Sequence, residues 1–190
     1  MMKANFCFSL LTLAFLLASC MSSTPDHRFF LLSATVPQQE QTQDNAADAP
    51  GLWLQSVSLP EYLNQNEMVM RLPSGELKKT GVFWGQNLND GIKNVVTENL
   101  GNLLGAAKVA VGRGDKSLIR LQLHFLELAV TGQGALTMRG VCQCQFPDGT
   151  SRQFPFAASQ ACGSSPESQV KAHNQLLADL SRRIVTFLNY

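Results

Sequence analysis

The chain opens with a leader that limits what the remaining residues can build. Lys3 precedes an almost uninterrupted apolar run over residues 6–18, and small residues end that run just before Cys20. The run is shorter than the roughly 20 apolar residues that a transmembrane helix needs. A positive start, an apolar centre and small residues at the end are typical of a secretory signal that is removed. Residues 20–190 then remain to fold, which is enough for one domain with a single core.

The end of the leader, Leu17-Ala18-Ser19-Cys20, resembles the lipobox of bacterial lipoproteins. On that resemblance, residues 1–19 are the signal peptide, and Cys20 is the first mature residue, with an S-diacylglycerol group and an N-acyl chain such as palmitate. Residues 20–28 would be the lipidated tether and 29–190 the globular domain. Each buried methylene adds about 0.8 kcal/mol of membrane affinity, so several acyl chains anchor a protein in effect permanently. The alternative is a plain secretory signal in which Cys20 is incidental.

The charge of the mature chain argues against a nucleic-acid partner. The whole chain has 15 Lys and Arg against 14 Asp and Glu, and removal of Lys3 makes the two sums equal. Binding to phosphates needs clustered basic residues that release counterions. Lys93, Arg120 and Arg139 are instead scattered singly along the chain. We therefore expect no nucleic acid among the ligands.

Cys142, Cys144 and Cys162 remain once Cys7 has left with the signal and Cys20 has been lipidated. In an oxidising compartment one disulfide among these three is possible, with one thiol left over. Cys142 and Cys144 lie two residues apart on one predicted strand, so a direct bond between them requires distortion of the backbone. Inert buried thiols are the alternative. A metal site with His124 is disfavoured, because that side chain points to the opposite face, and no metal is predicted.

Hydrophobic alternation predicts most of the strands. The run Phe29-Phe30-Leu31-Leu32 indicates a first buried strand, and a second covers residues 52–57. Pro73-Ser74-Gly75-Glu76 predicts the turn of a β-hairpin. Residues 118–128, 136–146 and the segment after Pro147-Asp148-Gly149-Thr150 predict a three-stranded meander. The alternation breaks at Leu126-Glu127-Leu128, which suggests a bulge.

Two segments have apolar residues at helical spacing. The first covers residues 88–106, and the second runs from Ser164-Ser165-Pro166-Glu167 nearly to Tyr190. Ser164 and Glu167 have the spacing of a capping box. Each helix has one apolar face, so the predicted fold class is α+β: a mainly antiparallel sheet with two amphipathic helices packed on one face.

The segment Leu59-Pro60-Glu61-Tyr62-Leu63 predicts a rigid turn. It could display Tyr62 and Leu63 to a partner, or these two side chains could fill the local core. Arg71 could likewise contact a partner or be the hydrogen-bonded neighbour of this turn. Trp84, between a hairpin and a helix, is expected to pack in the core.

Three blocks of sequence resemble the ABC-type transport auxiliary lipoprotein family, the PqiC or YmbA-like lipoproteins of Gram-negative bacteria. They are Phe29-Phe30-Leu31-Leu32-Ser33, Val57-Ser58-Leu59-Pro60-Glu61-Tyr62-Leu63 running into Met68-Val69-Met70-Arg71, and Trp84 followed by Leu88 and its helix. The resemblance covers most of the mature chain, and the middle block is the most specific.

The resemblance implies a non-enzymatic accessory lipoprotein of an intermembrane phospholipid transport system. Its implied partners are a periplasmic MCE-domain protein and an inner-membrane permease, and a homo-oligomeric ring is plausible for a docking part. Met21 rather than Asp follows Cys20, which favours the periplasmic face of the outer membrane over the inner membrane. The sequence has no catalytic motif. The alternatives are a periplasmic carrier that binds one lipid, and a redox or metal-binding protein that uses the three cysteines.

Overall fold

The computed structural model describes residues 28–38 and 50–189. The strands are β1 (Phe29–Phe30), β2 (Leu52–Ser58), β3 (Glu67–Arg71), β4 (Leu77–Trp84), β5 (Ile119–Thr131), β6 (Ala135–Gln145) and β7 (Ser151–Ala161). The helices are α1 (Leu88–Leu104) and α2 (Pro166–Leu188), with short 3-10 turns at Glu61–Leu63 and Ala106–Lys108. The predicted signal peptide and nearly all of the predicted tether lie outside the described residues.

The strands of the described residues join one mixed sheet in the order β1-β4-β3-β5-β6-β7, and β2 pairs with β5. β5, β6 and β7 pair antiparallel, and so do β3 and β4. The predicted meander, hairpin and α+β class are therefore confirmed. β2 and β3 both run parallel to β5, and β1 runs parallel to β4. The sequence did not predict these parallel pairs, because periodicity indicates which side chains are buried and not which strand lies alongside.

Both helices pack on one face of the sheet, which we call the inner face, and they also contact each other. The inner-face side chains of the sheet are almost fully buried, among them Leu52, Leu54, Leu121, Leu123 and Leu136. Alternate residues on the opposite, outer face of β5, such as Arg120 and Gln122, are only partly buried. The predicted packing of two helices on one face is confirmed.

A β-bulge at Leu126 shifts the alternation of β5, as the sequence suggested. The register with β6 shifts between Phe125 and Glu127. Phe125 faces the core, Leu126 is 64% exposed, and Leu128 again faces the core opposite Met138. Glu127 consequently points to the outer face.

Side chains cap both helices at their first residues. The Oδ1 atom of Asn87 accepts a hydrogen bond from the Asn89 N–H at 2.9 Å, and the Ser165 hydroxyl oxygen accepts one from the Ser168 N–H at 3.3 Å. The predicted cap at Ser164 is therefore wrong by one residue. Pro166 takes the first helical position, where no N–H donor is needed, and this places the cap at Ser165.

The first strand is buried on one side only, which corrects the prediction of a fully buried strand. Phe30 packs against the core and Leu32 is 7% exposed, whereas Phe29 is 65% and Leu31 57% exposed. β1 lies at the edge of the sheet, and the helices cover only the inner face. The apolar run therefore alternates between core and surface.

Candidate functional site

The turn that carries Tyr62 fills a break in the pairing along one edge of β5. β2 pairs with β5 as far as His124, and β3 begins to pair at Val130. Between these points the Leu128 N–H donates to the Tyr62 hydroxyl oxygen in a long hydrogen bond of 3.5 Å. Pro60 fixes the backbone at the entry to this turn, and its carbonyl accepts from the Leu63 N–H at 2.9 Å. The turn thus places one aromatic side chain against the middle of the longest strand.

The two apolar residues of this turn have different environments. Leu63 is 5% exposed and belongs to the core, so of its two possible roles it fills the local core and is not displayed to a partner. Tyr62 is partly buried. Burial raises the pKa of its hydroxyl, and the Glu127 carboxylate adds to that rise, while the Leu128 N–H and the charges of Arg71 and Arg139 oppose it. The ring therefore lies between the core and a charged group of side chains.

That group is centred on Glu127, which is 5% exposed. Arg139, directly opposite on β6, donates from Nε to Oε2 of Glu127 at 2.9 Å. Nη2 of Arg71 lies 2.7 Å from Oε1 as an ion pair that lacks the alignment of a hydrogen bond. Arg71 is thus linked to the Tyr62 turn only through its ion pair with Glu127, and within the described part of the chain the structure has no hydrogen bond from its side chain to the turn.

The two arginines also present charge to solvent. Their side chains are 46% exposed for Arg71 and 58% exposed for Arg139, while the Glu127 side chain is 7% exposed. A buried carboxylate is tolerated when opposite charges compensate it. Here one carboxylate pairs with two guanidinium groups, so the surface of the cluster has a net positive charge. The buried carboxylate of Glu127 fixes the positions of the two guanidinium groups.

We call this surface the Glu127 patch and define it as Tyr62, Arg71, Leu126 and Arg139 around Glu127. Leu126, at the bulge, adds an exposed apolar side chain. Tyrosine and arginine are enriched among the residues that dominate protein–protein binding energies. Sequence reasoning found Tyr62 and Arg71 but missed the other three. The usable signal was a glutamate between two leucines in the middle of a strand, because such a residue is seldom buried without a partner.

The three cysteines are free thiols in the structure. Cys142 and Cys144 are 0% and 1% exposed on the inner face, with their Sγ atoms 3.8 Å apart. The hydrogen bond to Cys144 raises the pKa of Cys142, and burial adds to the rise. A protonated, buried thiol is a poor nucleophile.

Cys162 lies at the far end of β7 from this pair. Cys142 is opposite Phe154, and Cys162 follows eight residues later, a separation of roughly 26 Å at the usual rise per strand residue. A disulfide needs Cα atoms within about 7 Å. Cys162 is therefore out of reach of both other thiols, because residues 151–161 form one continuous strand and do not fold back. Of the two alternatives that the sequence left open, the structure has the buried free thiols. Residues 28–38 and 50–189 contain no group of His, Cys, Asp or Glu side chains that could hold a metal ion.

Two buried asparagines connect the first described segment to both helices. Oδ1 of Asn99 on α1 accepts from the N–H groups of Thr35 and Val36 at 3.2 and 3.1 Å. Oδ1 of Asn174 on α2 accepts from the Ser33 N–H at 3.0 Å. The segment that follows β1 is thus fastened to the two helices, and we call these contacts the asparagine clamp.

Trp84 packs in the core, as predicted, and is 6% exposed. Its ring meets the ring of His173 edge-on, with the centroids 5.3 Å apart. Nδ1 of His173 lies 2.8 Å from the carbonyl oxygen of Gln169. Burial lowers the pKa of His173 to about 4, against the opposing effect of the Gln169 carbonyl. This histidine is therefore neutral at physiological pH.

Two further concavities lie on the surface. A cleft of about 500 Å³ on the outer face is lined by polar side chains that include Gln55, Arg120 and Gln122. A groove of about 810 Å³ lies between α1 and the segment 106–112, and its lining includes Leu54 and Val111. No helix within the described ranges is both long and apolar enough to cross a membrane. The predicted lipidation residue, Cys20, lies outside those ranges.

The comparisons with known proteins agree with this fold. The model of the family described as ABC-type transport auxiliary lipoprotein component matches residues 30–185. One crystal structure, of an uncharacterized protein, has a TM-score of 0.72 at 18% identity and covers 85% of this chain and 98% of its own. Another, of protein XCC0632 from Xanthomonas campestris in the family DUF330, has a TM-score of 0.66 at 17% identity, with coverages of 83% and 92%. No curated protein matches the chain.

Proposed function

The chain belongs to the family of ABC-type transport auxiliary lipoprotein components, and from that premise we propose that it is the non-enzymatic accessory subunit of an MCE-type intermembrane phospholipid transporter. In this proposal Cys20 carries the lipid anchor at the periplasmic face of the outer membrane. The folded domain then docks on the periplasmic MCE-domain protein, which works with an inner-membrane permease. The lipoprotein family and the lipobox-like end of the leader both support an anchored periplasmic protein.

The observation that carries the docking role is the Glu127 patch. Its accessible groups are the partly buried ring of Tyr62 on its turn, and two guanidinium groups and a leucine on strands, with both guanidinium groups paired to one buried carboxylate. Preorganised side chains lose little conformational entropy when a partner binds. The net positive charge suits a partner surface with acidic groups. If several copies form a ring, the weak contacts that each copy makes with the partner combine into a stronger overall affinity.

The test is affinity purification of the tagged, lipidated protein from detergent-solubilised membranes, with mass spectrometry of the co-purifying proteins and lipids. We expect an MCE-domain protein to be recovered with the wild type and to be lost with Leu126→Ser. The matched control is Val111→Ser, since Val111 is 84% exposed and lies away from the patch. Equal recovery with both variants would remove the docking role from the patch, and absence of the MCE-domain protein from the wild type would contradict the transport role.

The groove beside α1 favours a second candidate, a periplasmic carrier that binds one lipid. Its lining combines apolar side chains with Lys93 and with the carboxylates of Asp90 and Glu98, and it has room for part of an acyl chain. The inner face itself is filled by buried side chains, so a lipid between the helices and the sheet would have to displace the core. One phospholipid per chain in the purified protein, without an MCE-domain partner, would favour the carrier.

A further inference from the structure

β1 and the residue that follows it present two large apolar side chains to solvent. Phe29 and Leu31 are 65% and 57% exposed, whereas Phe30 and Leu32, which alternate with them, face the core. Phe29 and Leu31 therefore lie on the same side of the chain. Scattered single exposed residues need no explanation, but adjacent large ones commonly mark an interaction surface.

The neighbourhood enlarges this apolar surface. The ring of Phe29 lies 5.8 Å from the ring of Phe83, the residue paired with it on β4. Leu31 lies over Gly85, where an added Cβ would come within 3.1 Å of a Leu31 methyl group. We call Phe29, Leu31 and Phe83 the anchor-proximal patch. The adjacent charged residue, Arg28, forms an ion pair with Glu167 and lies over the Phe30 ring at 5.2 Å, so its charge is compensated.

The position of this patch in the sequence restricts what can cover it. Phe29 follows Cys20 by nine residues. Even a fully extended chain of that length spans only about 30 Å. If Cys20 carries the lipid, the patch stays within that distance of the bilayer surface, whatever the rest of the domain contacts.

We propose that the anchor-proximal patch rests on the lipid bilayer and fixes the orientation of the domain relative to the membrane. The inference rests on the proposed lipidation of Cys20 and adds to it a second contact. Aromatic rings with apolar neighbours partition favourably into the interface of a bilayer. Because the tether holds the patch close to the bilayer, the contact behaves as an intramolecular one. Even a weak affinity of the patch for the bilayer interface is then sufficient to keep it bound there. A second copy or a partner protein that covered the patch would have to fit into the narrow space that the tether leaves between the patch and the bilayer.

The test uses the mature lipidated protein in vesicles of phosphatidylethanolamine and phosphatidylglycerol. Single cysteines are introduced as Phe29→Cys, Leu31→Cys and Val111→Cys and labelled with a nitroxide. The native thiols Cys142, Cys144 and Cys162 are at most 7% exposed and are not expected to react. Electron paramagnetic resonance then compares collisions of each label with oxygen, which concentrates in lipid, and with a nickel chelate, which stays in water.

We expect the ratio of oxygen to nickel collisions to be several-fold higher at positions 29 and 31 than at 111. A ratio at 29 and 31 equal to that at 111, in protein that floats with the vesicles, would overturn the membrane contact and leave the anchor intact. If the labels at 29 and 31 collide with neither oxygen nor the nickel chelate, and their spectra are broadened by a second label nearby, the patch is covered by a second copy of the chain instead of the bilayer. Absence of acyl groups from the amino-terminal peptide by mass spectrometry would overturn the anchor, and the patch proposal with it.

Discussion

The carboxylate of Glu127 lies 2.9 Å from Nε of Arg139, the residue directly opposite it on the neighbouring strand. The bulge at Leu126 makes this pairing possible, because it turns Glu127 away from the core that Phe125 and Leu128 face. A single extra residue in β5 thereby creates a charged position on the outer face, and the Glu127 patch depends on it.

Glu127→Gln should destabilise the protein by about 1–3 kcal/mol, because it removes the charge that compensates two arginines. We expect this loss of stability to be smaller than for breaking a fully buried ion pair, because both guanidinium groups can turn towards solvent. Urea unfolding at neutral pH measures it. The control is Asp179→Asn, which breaks an exposed ion pair with Arg182 and should cost about 0.5 kcal/mol or less. Equal effects of the two variants would mean that burial of Glu127 has no energetic consequence.

Asn99→Ala should cost about 1–3 kcal/mol, because the N–H groups of Thr35 and Val36 lose their acceptor. Hydrogen exchange at those two amides should accelerate more than exchange elsewhere in the chain. Asn94→Ala is the matched control, an exposed asparagine on the same helix. If the amides of Thr35 and Val36 exchange at the wild-type rate in Asn99→Ala, the asparagine clamp does not hold the segment.

The buried His173 should make stability depend on pH. Its pKa is about 4 in the folded protein, against 6.5 for the ordinary side chain. The unfolded chain therefore binds a proton between these values that the folded chain does not. The stabilisation is complete above pH 6.5 and is lost as the pH falls towards 4, by up to about 1.4 kcal/mol per pH unit.

Urea unfolding between pH 7 and pH 4 checks this dependence. His173→Gln should have a shallower slope than the wild type. Parallel curves for wild type and His173→Gln would contradict the assignment to His173.

The mature protein should contain three free thiols, since the structure has Cys142, Cys144 and Cys162 unpaired. Alkylation in denaturant without reductant should modify all three, and alkylation of the native protein should be slow because each is buried. Intact mass gives the count. Two missing alkyl groups that map to Cys142 and Cys144 would show a disulfide within β6, at a point where the sulfur atoms are 3.8 Å apart.

The sequence predicted the elements well where one face is buried. The alternation over residues 118–125 and its break at Leu126 give the course of β5 and its bulge, because side-chain periodicity responds directly to burial. The parallel pairing of β2 and β3 with β5 could not be predicted in this way. Pairing depends on contacts between distant segments, which a local pattern does not contain.

The candidate site was predicted in part. Tyr62 and Arg71 stand out as unusual residues beside a proline turn, but Glu127 connects them, and it comes from a strand some sixty residues later. Asn99 is an informative case, since an amide in an otherwise apolar helical stripe predicts a buried hydrogen bond without naming its partner. The sequence left the role of Leu63 open, because an apolar residue in a turn can face either the core or the solvent.

The first described residues also determine how the domain would respond to mechanical load. Tension applied through the amino terminus reaches the Arg28 ion pair first, then the pairing of β1 with β4, and then the asparagine clamp. These contacts follow one another along the chain, so tension meets them in that order. Leu32 and Val36 of the same segment are buried, so the segment is attached to the core by its own side chains as well as by the asparagine clamp. A pull on this segment therefore acts on the core itself.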